Sequence, residues 1–367
     1  MSSPPVTGAW RTGDPPGRRQ WVTHDRLRLE SGAELPSVRL AYETWGTLDS
    51  DASNAVLVEH ALTGDSHAAG EAGPGHPTRG WWDALIGPGR ALDTDELFVV
   101  VPNVLGGCQG TTGPSSPDPH GKPWGSRFPR LTVRDQVAAE VVLADALGIR
   151  RWAAVLGGSM GGMRALEWAV LEPERVASLL VLAAPAASSA DQIAWASPQL
   201  HAIRSDPGWC GGDYYDAAPG AGPYRGLAVA RRIAQVTYRS EAELSQRFGQ
   251  RPQGDGRFAV ESYLDHHADK LVRRFDANSY LVLTDAMNTH DVGRDRGSVA
   301  AALARVRART VVAGVDSDRL YPLRQSRELA AGITGAGPAA VISSPYGHDS
   351  FLIETGQIAA LVKALVA

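Results

Sequence analysis

Six short apolar runs constrain this chain more than any other feature. Residues 55–62 (AVLVEHAL), 97–103 (LFVVVPN), 152–158 (WAAVLGG), 178–186 (SLLVLAAPA), 310–316 (TVVAGVD) and 338–344 (PAAVISS) are unbroken and mostly β-branched or aliphatic. A strand with one wet face alternates apolar and polar residues. Runs without alternation predict parallel strands covered on both faces. Helical spacing lies between them, at 133–149 and 298–308. Alternating β and α implies an α/β protein, with a doubly wound, mostly parallel sheet and right-handed crossovers. The stretch VRLAYETWG at 38–46 reads instead as an antiparallel strand.

The alternation stops between 187 and 297. Aromatic and charged residues recur there at helical spacing, at 226–248 and 260–275, with Gly- and Pro-rich breaks between. An insertion entering and leaving one sheet predicts a helical lid over the strand ends. Residues 21–186 and 298–367 are then the core, and 1–20, rich in Pro, Gly, Ser and Arg, a flexible arm. A net charge of −4 argues against a general binder of nucleic-acid phosphates. The two cysteines, Cys108 and Cys210, sit in no metal-ligand spacing and suggest no disulfide framework, as in a reducing cytosol. Cys108 reads as packing. No secretory signal and no apolar run of membrane-spanning length is visible, so a soluble, cytoplasmic protein is expected.

Residues 153–169, AAVLGGSMGGMRALEWA, set four glycines around Ser159 between a predicted strand and a predicted helix. The pattern is G-x-S-x-G. A serine on a sharp strand-to-helix turn has unfavourable backbone angles, and side chains two positions either side would collide. Gly157 and Gly161 remove them. A glycine-rich packing turn with a capping serine is the alternative. A serine hydroxyl needs a histidine to take its proton and a carboxylate to fix the histidine's tautomer. With this motif the chain order is serine, acid, histidine. An acid after the strand at 310–316 leaves His348 as the base, in SPYGHDSF; the acid is Asp316 or Asp318, in GVDSDRLYP. An oxyanion hole needs two N–H groups. Met160 supplies one, and Leu62 or Thr63, in VEHALTGDSH, the other.

The segments EHALTG, NVLGGCQGTTGPSS, GGSMGGMRALEWA, VDSDRLYP and YGHDSFLIE, in this order, resemble the homoserine O-acetyltransferases of the α/β-hydrolase superfamily. The resemblance runs from about residue 35 to the C-terminus. It implies an α/β-hydrolase core with a helical lid, and a ping-pong transfer of acetyl from acetyl-CoA through the serine to L-homoserine, a step of methionine biosynthesis. It selects Asp318 as the acid and Leu62 as the second oxyanion donor. In the lid, AVARRIAQVTY aligns Arg231 with the family's carboxylate-binding arginine and Tyr238 with its tyrosine. Arg232 competes for the first role. Asp349 matches the contact to the substrate ammonium. A homodimer joined through lid helices is implied, with no metal and no bound cofactor, since acetyl-CoA is a substrate. Succinyl transfer, a serine acceptor and plain ester hydrolysis are the alternatives. A non-catalytic ligand-binding relative fits poorly, because the triad residues are all present.

Overall fold

The computed structural model describes residues 3–366. From the N-terminus run β1 (Gln20–Arg28), β2 (Glu34–Trp45) and β3 (Ala55–Glu59), a two-stranded pair β4 (Ile86–Gly87) and β5 (Leu92–Asp93), and β6 (Phe98–Pro102). Helix α1 (Val133–Ala146), β7 (Ala154–Gly158), α2 (Met160–Leu171) and β8 (Ser178–Leu182) complete the first half. The helices α3 (Ala190–Arg204), α4 (Tyr224–Tyr238), α5 (Glu241–Phe248), α6 (Ala259–Val272) and α7 (Ala277–Asn288) follow. The chain ends with α8 (Val299–Leu303), β9 (Arg309–Val315), α9 (Leu323–Gly332), β10 (Ala340–Ile342), α10 (Ser350–Ile353) and α11 (Thr355–Val366).

Eight strands among the described residues form one sheet, ordered β1-β2-β6-β3-β7-β8-β9-β10. From β6 to β10 the neighbours are parallel, whereas β1–β2 and β2–β6 are antiparallel. The central strands are buried on both faces, which is why they carry no polar alternation: every residue of β3, β7 and β8 is buried. Their side chains divide by parity. Leu57, Val155, Leu179 and Val181 join a core beneath α1, α2 and α9; Val56, Val58, Leu156, Leu180 and Leu182 join the opposite core with Ile358 and Val362 of α11. β1 escaped sequence reading because most of its residues are exposed.

Helix starts follow local chemistry. Thr132 and Asp135 cap α1 reciprocally, and Ser189 and Gln192 do the same for α3. The helices between β8 and β9 build a third core of Leu200, Ile203, Leu227, Leu271 and Phe275, which settles on Leu62, Cys108 and Met160. The two ends of this excursion meet where Ala187 bridges Asp291 and the Ser188 N–H donates to His290 O. No helix is long and apolar enough to cross a membrane.

Residues 3–19 do not hang free as an arm of their composition suggests. The Gly8 N–H donates to Phe275 O at 3.0 Å and the Trp10 N–H to Cys108 O at 2.9 Å. Thr7 donates to Asp276 at 2.8 Å, and the buried Arg19 side chain reaches the carbonyls of Gln109 and Gly75. Backbone groups of distant segments hold this stretch, a constraint that composition does not encode.

Candidate active site

Ser159 stands between β7 and α2 with φ 58° and ψ −125°, a conformation that costs a residue other than glycine of order 1–3 kcal/mol. Crowding at the corner explains the flanking glycines. A Cβ at Gly157 would lie 2.1 Å from the Gly161 carbonyl oxygen, and one at Gly161 would lie 2.1 Å from that of Glu59. The turn thus packs directly on the end of β3, from which the loop 60–64 departs. It also lifts the buried Ser159 hydroxyl toward His348, whose Nε2 is 2.9 Å from Oγ. His348 Nδ1 is 2.6 Å from Asp318 Oδ2. The other carboxylate oxygen of Asp318 accepts the N–H groups of Leu320 and Tyr321 at 2.8 and 2.9 Å. The carboxylate is therefore held, and the imidazole carries its proton on Nδ1, leaving the Nε2 lone pair for the serine. Asp316 does something else: it accepts from Ser343 Oγ and the Ser344 N–H and braces the turn after β10.

The other candidates assemble around this chain of hydrogen bonds. A cavity of about 170 Å³ is lined by Leu62, Ser159, Arg231, Tyr238, His348 and Asp349, among others. Met160 is the first residue of α2, where N–H groups lack intrahelical acceptors. The Leu62 N–H meets no acceptor among the described residues. Arg231 projects into the cavity with Nε and Nη1 unpartnered, its guanidinium 5.3 Å from the Tyr238 ring centroid. Arg232 points elsewhere and pairs with Asp265 at 2.8 Å. Asp349 lies 3.5 Å from Arg239; burial pushes its carboxyl above the usual aspartate range, opposed by Arg231. Cys108 is buried, and burial raises its thiol pKa far above that of a reactive cysteine, in keeping with packing.

Sequence reading missed the support beneath the site. Arg164 of α2 is wholly buried, with Nη1 2.6 Å from Glu140 Oε1 and 2.7 Å from Glu59 Oε2. Its Nη2 donates to the His60 carbonyl at 2.7 Å, so one guanidinium ties α2, which follows Ser159, to the start of the loop 60–64. The Trp168 indole donates to Glu140 at 2.9 Å. Burial drives the Glu59 carboxyl well above its usual range, with Glu140 adding and Arg164 opposing. The His60 imidazole accepts the Val104 N–H at 3.1 Å; burial, reinforced by Arg164, lowers its pKa to about 3, so it stays neutral. Every residue of MRALEWAV is buried, so Arg164 and Glu167 are buried with it.

Glu43, His67 and His76 place their ligand atoms within 4.8 Å of one another in a buried cluster near residues 17–19. The imidazoles stack with centroids 3.9 Å apart and planes 9° apart. Two parallel rings cannot both aim in-plane lone pairs at one ion, and His76 Nε2 already accepts the Arg18 N–H at 3.2 Å. In this arrangement the cluster's hydrogen bonds brace the segment.

The sequence matches the α/β hydrolase fold family over residues 54–355. The homoserine O-acetyltransferase of Thermobifida fusca is 68% identical over 99% of this chain and 97% of that protein. The chain belongs to the homoserine O-acetyltransferase family. The crystal structure of the homoserine O-acetyltransferase from Bacillus anthracis superposes with a TM-score of 0.86 at 27% identity, covering 95% of this chain and 97% of that one. An acetylester hydrolase from Corynebacterium glutamicum superposes at 0.83, with 28% identity and 96% coverage of both chains. Solved structures that superpose closely on this chain thus include one described as a transferase and one described as a hydrolase.

Proposed function

We propose that this protein transfers the acetyl group of acetyl-CoA to the hydroxyl of L-homoserine through an acetyl-Ser159 intermediate. The observation that carries the reading is the unbroken path from Ser159 Oγ through both nitrogens of His348 to Asp318. Ser159 Oγ attacks the thioester carbonyl carbon as its proton moves to His348 Nε2, and the N–H groups of Leu62 and Met160 receive the developing oxyanion. The intermediate collapses, the C–S bond breaks, and His348 returns the proton to the departing CoA thiolate. The homoserine hydroxyl then loses its proton to His348 and attacks the acetyl-serine, and O-acetylhomoserine leaves as His348 reprotonates Ser159. Asp318 stabilises the imidazolium throughout. The chemistry draws only on this chain's side chains and amides, with no bound cofactor.

Transfer rather than hydrolysis requires the acceptor to be held and water excluded. Arg231, with two unpartnered nitrogens, suits a bidentate grip on the homoserine carboxylate, and Asp349 suits its ammonium. A small cavity under a helical lid leaves little space for water beside the acyl group. A homodimer joined through the lid would cover Ile193 and Trp195 of α3 and Val229 of α4, which are exposed in the single chain. A cytoplasmic location fits the two free cysteines. The discriminating experiment measures CoA release from acetyl-CoA with and without L-homoserine, with succinyl-CoA as the comparison donor. Release that depends on homoserine and prefers acetyl-CoA supports the proposal. Release indifferent to homoserine makes the protein a hydrolase, as some of its structural neighbours are named.

A further inference from the structure

The cavity over Ser159 suits an acetyl group and a small amino acid. At about 170 Å³ it falls below the roughly 300–1,000 Å³ that larger ligands occupy, so a CoA thioester must extend beyond it. A second cavity, of about 320 Å³, adjoins it, and among the lining residues of the two only Arg274 is shared. Gly64 lines the first and its neighbour Asp65 the second, so the walls are continuous through the oxyanion loop as well. The N-terminal segment supplies part of the wall of the second cavity: Gly8, Trp10 and Pro15 line it together with Asp65, Thr78 and Arg274.

Arg274 is fixed by its backbone and open at its side chain. Its N–H donates to Leu271 O at 3.0 Å, and its carbonyl accepts Gln109 Nε2 at 2.8 Å. The N-terminal segment presses on it so closely that a Cβ at Gly8 would come within 2.5 Å of its nitrogen. Among the described residues no carboxylate lies within 4 Å of its guanidinium. Burial lowers its pKa, with the more distant Asp65 opposing. Arg274 is only half-buried, so its guanidinium donors stay open to the cavities, and ligand oxygen atoms could accept from them. Arg231 differs, because it lines the first cavity alone.

We propose that Arg274 is the donor-side recognition residue: the pantetheine arm of the acyl-CoA runs from Ser159 past Arg274 into the second cavity, and the guanidinium donates to amide carbonyl oxygens of the arm. The wall carries two aspartates, Asp14 and Asp65, and two arginines, Arg273 and Arg274, so it has no net positive charge to favour a phosphate, and the neutral amides of the arm suit it. On this view the N-terminal segment is part of the donor site, which gives a reason for its many anchoring bonds. The inference rests on acetyl-CoA being the donor.

The test compares acylation of Ser159 by acetyl-CoA and by p-nitrophenyl acetate, a short donor with no pantetheine. Two variants are used. Arg274→Gln removes the charge, and Gly73→Trp places a ring at a lining position of the second cavity where nothing lies within 4 Å of the added Cβ. Both are expected to raise the KM for acetyl-CoA about tenfold, Arg274→Gln through the loss of a charged hydrogen bond and Gly73→Trp through obstruction of the second cavity. Acylation by p-nitrophenyl acetate and the KM for L-homoserine should stay within about twofold of wild type. Wild-type KM for acetyl-CoA in both variants overturns the inference, as does an equal loss with the short donor or a selective rise in homoserine KM. Wild-type enzyme that is acylated by p-nitrophenyl acetate but not by acetyl-CoA would instead overturn the donor assignment on which the inference rests.

Discussion

Replacing Gly161 by alanine tests the link between backbone packing and oxyanion geometry. The added Cβ would lie 2.1 Å from the Glu59 carbonyl oxygen, 2.7 Å from its carbon and 3.0 Å from the His60 carbonyl oxygen. All three are backbone atoms of β3 and the oxyanion loop, and Arg164 pins the last of them at 2.7 Å. No flexible side chain can yield, so α2 and the loop must separate. Overpacking of this kind costs about 1–3 kcal/mol of stability. The larger effect falls on catalysis. The two proposed donors, Leu62 and Met160, belong to the two segments being pushed apart. Misplacing one such donor costs about 10²–10³ in rate, equivalent to about 2.7–4 kcal/mol of transition-state stabilisation. Stopped-flow measurement of the CoA burst gives the acylation rate, and a thermal melt gives the stability change. We expect acylation slowed at least a hundredfold in protein that still melts cooperatively. A variant with wild-type burst rate would refute the placement of the oxyanion hole between these segments.

Asp318→Asn should lower kcat by about 10⁴ without unfolding the protein. The N–H groups of Leu320 and Tyr321 will hold the amide oxygen, which turns the NH₂ toward His348 Nδ1 and forces the proton onto Nε2, where no base remains; the acetylation assay checks this. Arg231→Ala should raise the homoserine KM at least tenfold while leaving acylation by acetyl-CoA near wild type, checked by assaying the half-reactions separately. Glu59→Gln should flatten the pH dependence of stability. Because the folded carboxyl titrates above its unfolded value, its contribution is complete below pH about 4.5 and is lost as pH rises toward the folded pKa, so the variant should gain on wild type in melts taken at rising pH.

What was legible in the sequence follows from where the physics is local. β3, β7, β8 and β9 are continuous apolar runs because both their faces are covered, and they were readable as such. Ser159 announced itself because a strained corner admits only glycine at Gly157 and Gly161. His348 followed from chain order, although it lies 189 residues from Ser159. Asp318 against Asp316 was not decidable from spacing; it depends on which carboxylate the Leu320 and Tyr321 amides hold. Arg231 against Arg232 likewise turns on helix rotation, which puts one in the cavity and the other on Asp265. The Glu59–Arg164–Glu140 trio, the stacked His67 and His76, and Arg274 join segments far apart in the chain, so no local pattern marks them as a group.

The most direct test of the account is where the acetyl group rests between half-reactions. Enzyme mixed with acetyl-CoA in the absence of acceptor, quenched and digested, should yield a peptide acetylated on Ser159 in stoichiometric amount, and a chase with L-homoserine should remove the label as O-acetylhomoserine appears. An enzyme that turns over while Ser159 stays unmodified, or one that carries the acetyl group on Cys108 or another residue, would contradict it.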